Sequence, residues 1–270
     1  QESSKETSAI TDLFGNYYEA AEIKMESMTL QEKVGQLFLF RCPAEGAVET
    51  VTTYQLGGYV LFTSNFEGKT KQQVIDEIAS FQQASKIPMA IAVDEEGGTV
   101  VRVSGFPALS EKRFQSPQRV FEDGGMNGIY NDTVEKSKLL LSLGINLNLA
   151  PVADVSTDPN DFIYDRSFGK SAKETANFVK ITVQAASSQN LSSTLKHFPG
   201  YGNNEDTHEG IAIDKRSYQE FEENDFIPFE EGIKEGAQCV LVSHNIVECM
   251  DPDNPASLSA EVHRVLREEL

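Results

Sequence analysis

The sequence predicts an α/β fold whose parallel sheet is of the TIM (β/α)8-barrel type, incomplete at its C-terminal end, with about six βα units present. Six short apolar runs alternate with segments whose apolar residues recur at helical spacing, the pattern of parallel strands joined by right-handed crossovers. Asp94, Arg166, Lys196, His197 and His244 fall at or beyond the ends of those runs, where a barrel keeps its reactive side chains. A doubly wound open sheet gives the same alternation, but no Gly-x-Gly-x-x-Gly turn follows the first run.

The elements follow in order. Residues 1–10 form a polar lead expected to be disordered, and 11–270 are expected to make one barrel domain. Leu13, Tyr17, Ala20 and Ala21 predict a helix over 11–26, packed against the base of the domain. Thr29 and Glu32 make a capping box before the first strand, Leu37 to Phe40. Tyr59 to Phe62 and Met89 to Val93 are the next two strands, separated by a helix capped by Thr70 and Gln73 with Val74, Ile78 and Phe81 on one face. A helix capped by Asp132 and Glu135 and stopped by Gly144 leads to the fourth strand, Ile145 to Leu149. Ser171 and Glu174 cap the most regular helix, which leads to a fifth strand ending in Lys196 and His197. Helical residues 225–235 precede the sixth run, Cys239 to Val242, and Ser259 caps a last helix.

A chain of 270 residues is long enough for one large domain. Its formal charge of −19 and pI near 4.6 exclude the basic footprint that nucleic acid requires. No stretch approaches the roughly 20 apolar residues of a membrane span. Cys42, Cys239 and Cys249 have no metal-ligand spacing, and Cys239 reads as a small core residue. His197, His208 and His244 could converge in space, but without an HExxH or HxH element no metal is expected. The polar opening, with no initiator Met, is similar to the spacer behind a removed export signal or a lipid-anchored Cys. An extracytoplasmic location is therefore expected, with a cytoplasmic one as the alternative.

The chemistry concentrates in KHFPGYGNNEDTH, residues 196–208. A strand runs into Lys196 and His197, the chain turns at Pro199, Gly200 and Gly202, and a polar loop carries Asp206 and His208. On an extended backbone Asp206 and His208 point to one face. A carboxylate beside an imidazole fixes its tautomer and raises its basicity, which prepares a general acid/base. Taken alone, such a pair is more often two solvated loop residues. Asp94 opens an anionic turn (Asp94-Glu95-Glu96-Gly97-Gly98) suited to hydrogen-bonding hydroxyls. The planar guanidinium of Arg166 can hold two oxygens or pair with Asp154 or Asp165. A lone His such as His244 is more often structural.

With VDEEGG (93–98), LNLAPVADV (147–155), DRSFG (165–169) and NPASLS (254–259), the KHFPGYG…DTH stretch resembles the β-N-acetylglucosaminidases of glycoside hydrolase family 3, from about residue 28 onward. In that branch the proton donor is a histidine on this loop. The resemblance implies a retaining exo-glycosidase that removes terminal β-linked N-acetylglucosamine, in particular from peptidoglycan fragments, without a cofactor. His208 becomes the acid/base and Asp206 its orienter, while Asp94 grips the far hydroxyls of the terminal sugar. Arg166, Lys196, His197 and His244 complete the substrate site. Tyr201 and Thr99 depart from residues frequent in the family and bear on substrate preference. A β-glucosidase, a glycoside phosphorylase or a non-catalytic sugar-binding form are the alternatives. In the family the nucleophilic Asp ends a seventh strand, and neither Asp154 nor Asp251 lies in a matching motif. The chain is therefore expected to be a truncated form, inactive alone and self-associating through open barrel edges.

Overall fold

The computed structural model describes residues 13–204 and 210–270. Its main sheet contains β1 (Leu39–Arg41), β2 (Gly58–Leu61), β3 (Ala90–Val93), β4 (Leu147–Asn148) and β5 (Ser192–Phe198). After a short β6 (Ile213–Asp214) the sheet is completed by β7 (Cys239–Val242). All neighbours are parallel, in the order β1-β2-β3-β4-β5-β7. Spatial order that follows chain order is the signature of a curled barrel sheet; a doubly wound sheet reverses at a switch point. β6 pairs with β8 (Ile246–Val247) in a separate two-stranded parallel ladder beyond the end of β7.

The helices are α1 (Tyr18–Glu26), α2 (Leu30–Gln36), α3 (Ala47–Tyr54), α4 (Lys71–Ala84), α5 (Pro117–Ser142), α6 (Ala172–Ser188), α7 (Tyr218–Glu220), α8 (Phe226–Lys234) and α9 (Ala260–Glu268). The boxes at Thr29/Glu32, Thr70/Gln73 and Ser171/Glu174 all form, satisfying backbone N–H groups that the first turn leaves open. Val74, Ile78 and Phe81 of α4 are buried with the outer residues Tyr59 and Ile91, while Phe178, Val179 and Val183 of α6 pack with Leu195 and Phe229. No helix among the described residues is long and apolar enough to cross a membrane.

Three expectations are corrected. The first helix begins only at Tyr18, after a 3-10 turn over Gly15–Tyr17, and buries nothing; Ile23 and Met25 lie off its apolar stripe, and Tyr17 stays 66% exposed. The helical stretch before β4 starts at Pro117 with Ser116 as its cap, because a Ser-Pro pair supplies both the capping oxygen and a preset φ, and it is broken once, at Gly125 with φ +59°, before running on to Ser142. Asp132 is therefore mid-helix, where it pairs with Lys136 at 3.3 Å. Cys239 is exposed rather than in the core.

Sheet register explains Cys239. Lys196 pairs with Leu241 and Thr194 with Cys239, so these four share one face. The same face continues through Leu147 and Ala92 to Val60 and Arg41, and Leu39 lies beside Gly58 and Ala90. This is the concave side, and its apolar cluster is small: Ala92, Leu147 and Leu149, with Val60 and Ala90. Toward both edges the concave face is open, so Leu39 is 41% exposed and Cys239 faces solvent. Apolar burial is concentrated instead between the sheet and its helices.

Candidate active site

The concave face delivers its charged residues to the C-terminal ends of β3 and β5. Asp94 continues the inner row Ala90–Ala92, and Lys196 stands opposite it on β5. The Lys196 side chain is only 2% exposed, and its Nζ donates to Asp94 Oδ1 at 2.7 Å and lies 2.6 Å from Glu96 Oε1. Burying an ammonium is costly unless it is paired, and these two carboxylates pair it.

Glu95 and Glu96 divide the work of the acidic turn. Glu95 is fully buried and accepts the backbone N–H groups of Arg102, Val103 and Ser104, so it folds the following loop back on itself. Glu96 accepts from Arg166 Nε at 3.0 Å and Nη2 at 2.8 Å, a two-pronged bond. Burial would raise the Glu96 carboxyl, but Lys196 and Arg166 outweigh it and hold it at about 2. Arg166 is in turn held more firmly protonated, since Glu96 outweighs its burial. The turn must use glycine at 97: φ is +102°, and a Cβ there would lie 2.2 Å from the Gln115 carbonyl oxygen.

His197 is oriented from both sides. Its Nε2 lies 3.3 Å from Arg166 Nη2, and a guanidinium can only donate, so Nε2 accepts. The proton therefore sits on Nδ1, which donates to Asp154 Oδ2 at 2.7 Å. Asp154 also accepts from the backbone N–H groups of His197 and Tyr201. With its side chain wholly buried and both oxygens engaged, Asp154 is an orienting group and is not placed to attack a substrate. Asp251, the other tempting carboxylate, is occupied in an exposed turn with Asp253 and Asn254.

The structure thus brings together Asp94, Arg166, Lys196 and His197. Arg166 pairs with Glu96 rather than with Asp154 or Asp165. His244 lies two residues past β7 but is exposed, bonded to Ser257 Oγ at 2.8 Å, and makes no bond to the cluster among the described residues. Asp206 and His208 lie outside the described residues. Asp94, Arg166 and His197 each keep 14–17% of the side chain exposed, so a narrow opening presents a carboxylate oxygen, a guanidinium and an imidazole together. Convergent donors and acceptors of this kind suit the vicinal hydroxyls of a sugar.

A second polar cluster braces the turn after β5. Arg216 donates to both oxygens of Asp214, to Asp225 Oδ2 at 2.8 Å and to the Gly200 carbonyl at 3.2 Å, with its guanidinium 4.3 Å over the Phe221 ring. Asn204 donates to Asp214 Oδ2 and to the Tyr201 carbonyl. Asn204 is therefore tied to the same ion cluster as the turn after β5. Gly200 is obligatory, with φ +134° and a Cβ position 2.1 Å from Asp225 Oδ1. No spacing in the sequence signals this cluster, because Asp214, Arg216 and Asp225 meet across a strand, a turn and a helix.

Burial pushes the Asp225 carboxyl up to about 7, more than Arg216 pulls it down, and its Oδ1 has no partner among the described residues. A carboxyl that holds its proton more tightly when folded contributes fully below about pH 4 and loses that contribution as pH rises through about 7. Asp225→Asn is expected to be more stable than the parent at pH 8, by about 1–4 kcal/mol, with the gain fading toward pH 5. Thermal unfolding of both proteins across this range checks it; parallel profiles would contradict the assignment.

Residues 29–270 match the glycosyl hydrolase family 3 N-terminal domain. A β-hexosaminidase of Xylella fastidiosa (strain M23) is 33% identical over 208 residues, 76% of this chain and 61% of that protein, so the chain spans less than two thirds of the length of this curated relative. A family 3 β-N-acetylglucosaminidase from Paenibacillus sp. str. FPU-7 superposes with a TM-score of 0.80 at 27% identity, over 90% of this chain and 47% of that one. NagZ from Neisseria gonorrhoeae, solved in complex with N-trifluoroacetyl-D-glucosamine, superposes with a TM-score of 0.74 at 26% identity, over 86% and 69%.

Proposed function

Because the chain belongs to glycoside hydrolase family 3, we propose that the cluster at the ends of β3 and β5 is the terminal-sugar subsite of a retaining β-N-acetylglucosaminidase. The observation that carries this reading is the buried Lys196–Asp94–Glu96–Arg166 network beside an oriented His197, which presents hydroxyl-binding groups in fixed geometry. The solved N. gonorrhoeae relative, held with an N-acylated glucosamine, supports the same sugar class. Peptidoglycan fragments are the natural source of that sugar in this reading.

The reaction divides between an acid/base and a nucleophile. Asp206 and His208 supply the acid/base: His208 protonates the leaving oxygen, then activates water, and Asp206 sets its tautomer. The Arg216 cluster holds Gly200 and Asn204, which precede them in the chain. Among the described carboxylates of the site, Asp94 and Glu96 are held by Lys196 and Asp154 by His197, so none of these three serves as nucleophile. Arg166, Lys196 and His197 hold sugar oxygens, and no cofactor takes part.

The complete product of the gene should cleave an aryl N-acetyl-β-glucosaminide and leave the matching aryl β-glucoside nearly untouched. Equal turnover of both would favour the β-glucosidase alternative, and release of a sugar phosphate only when phosphate is supplied would favour phosphorolysis.

The open sheet supports self-association. β1 is an exposed edge strand, and Phe38 and Phe40 are about half exposed beside the apolar residues Val34, Tyr54 and Leu56. Sedimentation of the 270-residue chain is expected to show concentration-dependent assembly that Phe40→Glu reduces. A monomer at every concentration would contradict this.

A further inference from the structure

Four residues before Arg166, the loop after β4 presents an aromatic ring to solvent. Phe162 is 39% exposed, although Ile163 beside it is wholly buried with Val152 and Tyr201 in a small apolar cluster. The Phe162 ring rests against that of Tyr201, with centres 5.6 Å apart and planes at 48°. Tyr201 is buried and meets the His197 ring edge to face at 5.4 Å. A continuous run of rings therefore leads from the proposed sugar site to the surface.

Scattered exposed apolar residues are ordinary and call for no function. Phe162 differs in being held. Ser156 Oγ donates to Asp161 Oδ2 at 2.7 Å, the Tyr164 N–H donates to the Asp161 carbonyl at 3.1 Å, and the N–H groups of Arg166 and Ser167 donate to the Ile163 carbonyl. Arg166, at the end of this stretch, is locked onto Glu96. A ring fixed in this way has already lost the freedom whose loss would oppose binding.

The ring pair also lies to one side of the site. Asp94, assigned to the far hydroxyls of the terminal sugar, follows β3, whereas Phe162 follows β4 and packs on the turn after β5. A sugar that reaches from Asp94 to His197 turns its reducing end toward Tyr201 and Phe162, where the next residue of a glycan is attached. One face of a pyranose carries C–H groups with partial positive charge, and the face of an aromatic ring is negative. An exposed flat ring suits such a face, while a methyl such as that of the N-acetyl group is better held in a concave apolar pocket.

We propose that Phe162, backed by Tyr201, is the stacking surface for the sugar ring on the leaving-group side of the cleaved bond. This rests on the sugar-subsite reading above and narrows its substrate class to glycans in which a pyranose follows the terminal N-acetylglucosamine.

The test is a calorimetric titration of the 270-residue chain with two ligands whose sulfur bridge resists hydrolysis: the methyl 1-thio-β-glycoside of N-acetylglucosamine and the thio-linked disaccharide of the same sugar. The disaccharide should bind about tenfold more tightly than the methyl thioglycoside, the size of effect an aromatic contact supplies. That advantage should disappear in Phe162→Ala and persist in Phe162→Tyr. Equal affinities in the parent chain, or an advantage that Phe162→Ala leaves intact, overturn the proposal while the sugar site stands. Failure of the parent chain to bind the methyl thioglycoside removes the sugar-subsite reading itself, and the proposal with it.

Discussion

Replacing Lys196 by Met is expected to cost about 3–5 kcal/mol of folding stability and to abolish sugar binding, because it strands two carboxylates at a buried site. Lys196 is the shared cation of Asp94 and Glu96 and is 2% exposed, so water cannot take over its role. Without it Glu96 retains Arg166, but among the described residues Asp94 keeps only the distant Arg102. Restoring neutrality in Lys196→Met/Glu96→Gln should recover part of the loss, and a double-mutant cycle in urea measures the coupling. The acid limb offers an independent check. A carboxyl depressed to about 2 stabilises the fold above about pH 4.5 and loses that contribution as pH falls toward 2. In Lys196→Met this acid loss should begin at higher pH. An unchanged acid limb and a cost near zero would remove Lys196 from the centre of the network.

Replacing His208 by Ala should slow hydrolysis of substrates with poor leaving groups by roughly 10²- to 10⁴-fold, while sparing the first step on activated aryl glycosides. A leaving group that departs as a stable phenolate needs no proton; an alkoxide does. The complete gene product is assayed on an aryl glycoside and on a disaccharide of the same terminal sugar. Equal losses on both would assign His208 to positioning instead.

Much of the fold was legible because its signals are local. Thr29/Glu32, Thr70/Gln73 and Ser171/Glu174 state helix starts in four residues each, and the β7 run Cys239 to Val242 has the predicted bounds. The site residues Asp94, Lys196 and His197 were legible as polar residues at the ends of apolar runs. Glu96 was not, since nothing in Asp94-Glu95-Glu96 says which carboxylate will face Lys196 and which will fold the loop. That division depends on Arg166, which is 70 residues away along the chain. Asp154 read equally well as a partner of Arg166; only the parallel pairing of Val152 with Lys196 at the end of β5 brings His197 to it. Helix α3 was missed because Thr50, Thr52 and Thr53 suppress a helical reading, although packing of the buried Val51 overrides that preference. The exposure of Cys239 follows from the openness of the concave face, which an apolar run cannot announce.

The account stands most directly on whether this cluster holds a sugar. Titrating N-acetylglucosamine into the chain and into Asp94→Asn, and following heat release beside thermal unfolding of each, measures that. One saturable site is expected, weakened at least about 30-fold in the variant, as for a lost charged hydrogen bond, with little change in Tm. No binding by the parent chain, or the same binding by both, would contradict the assignment of the β3 and β5 strand ends as the sugar site.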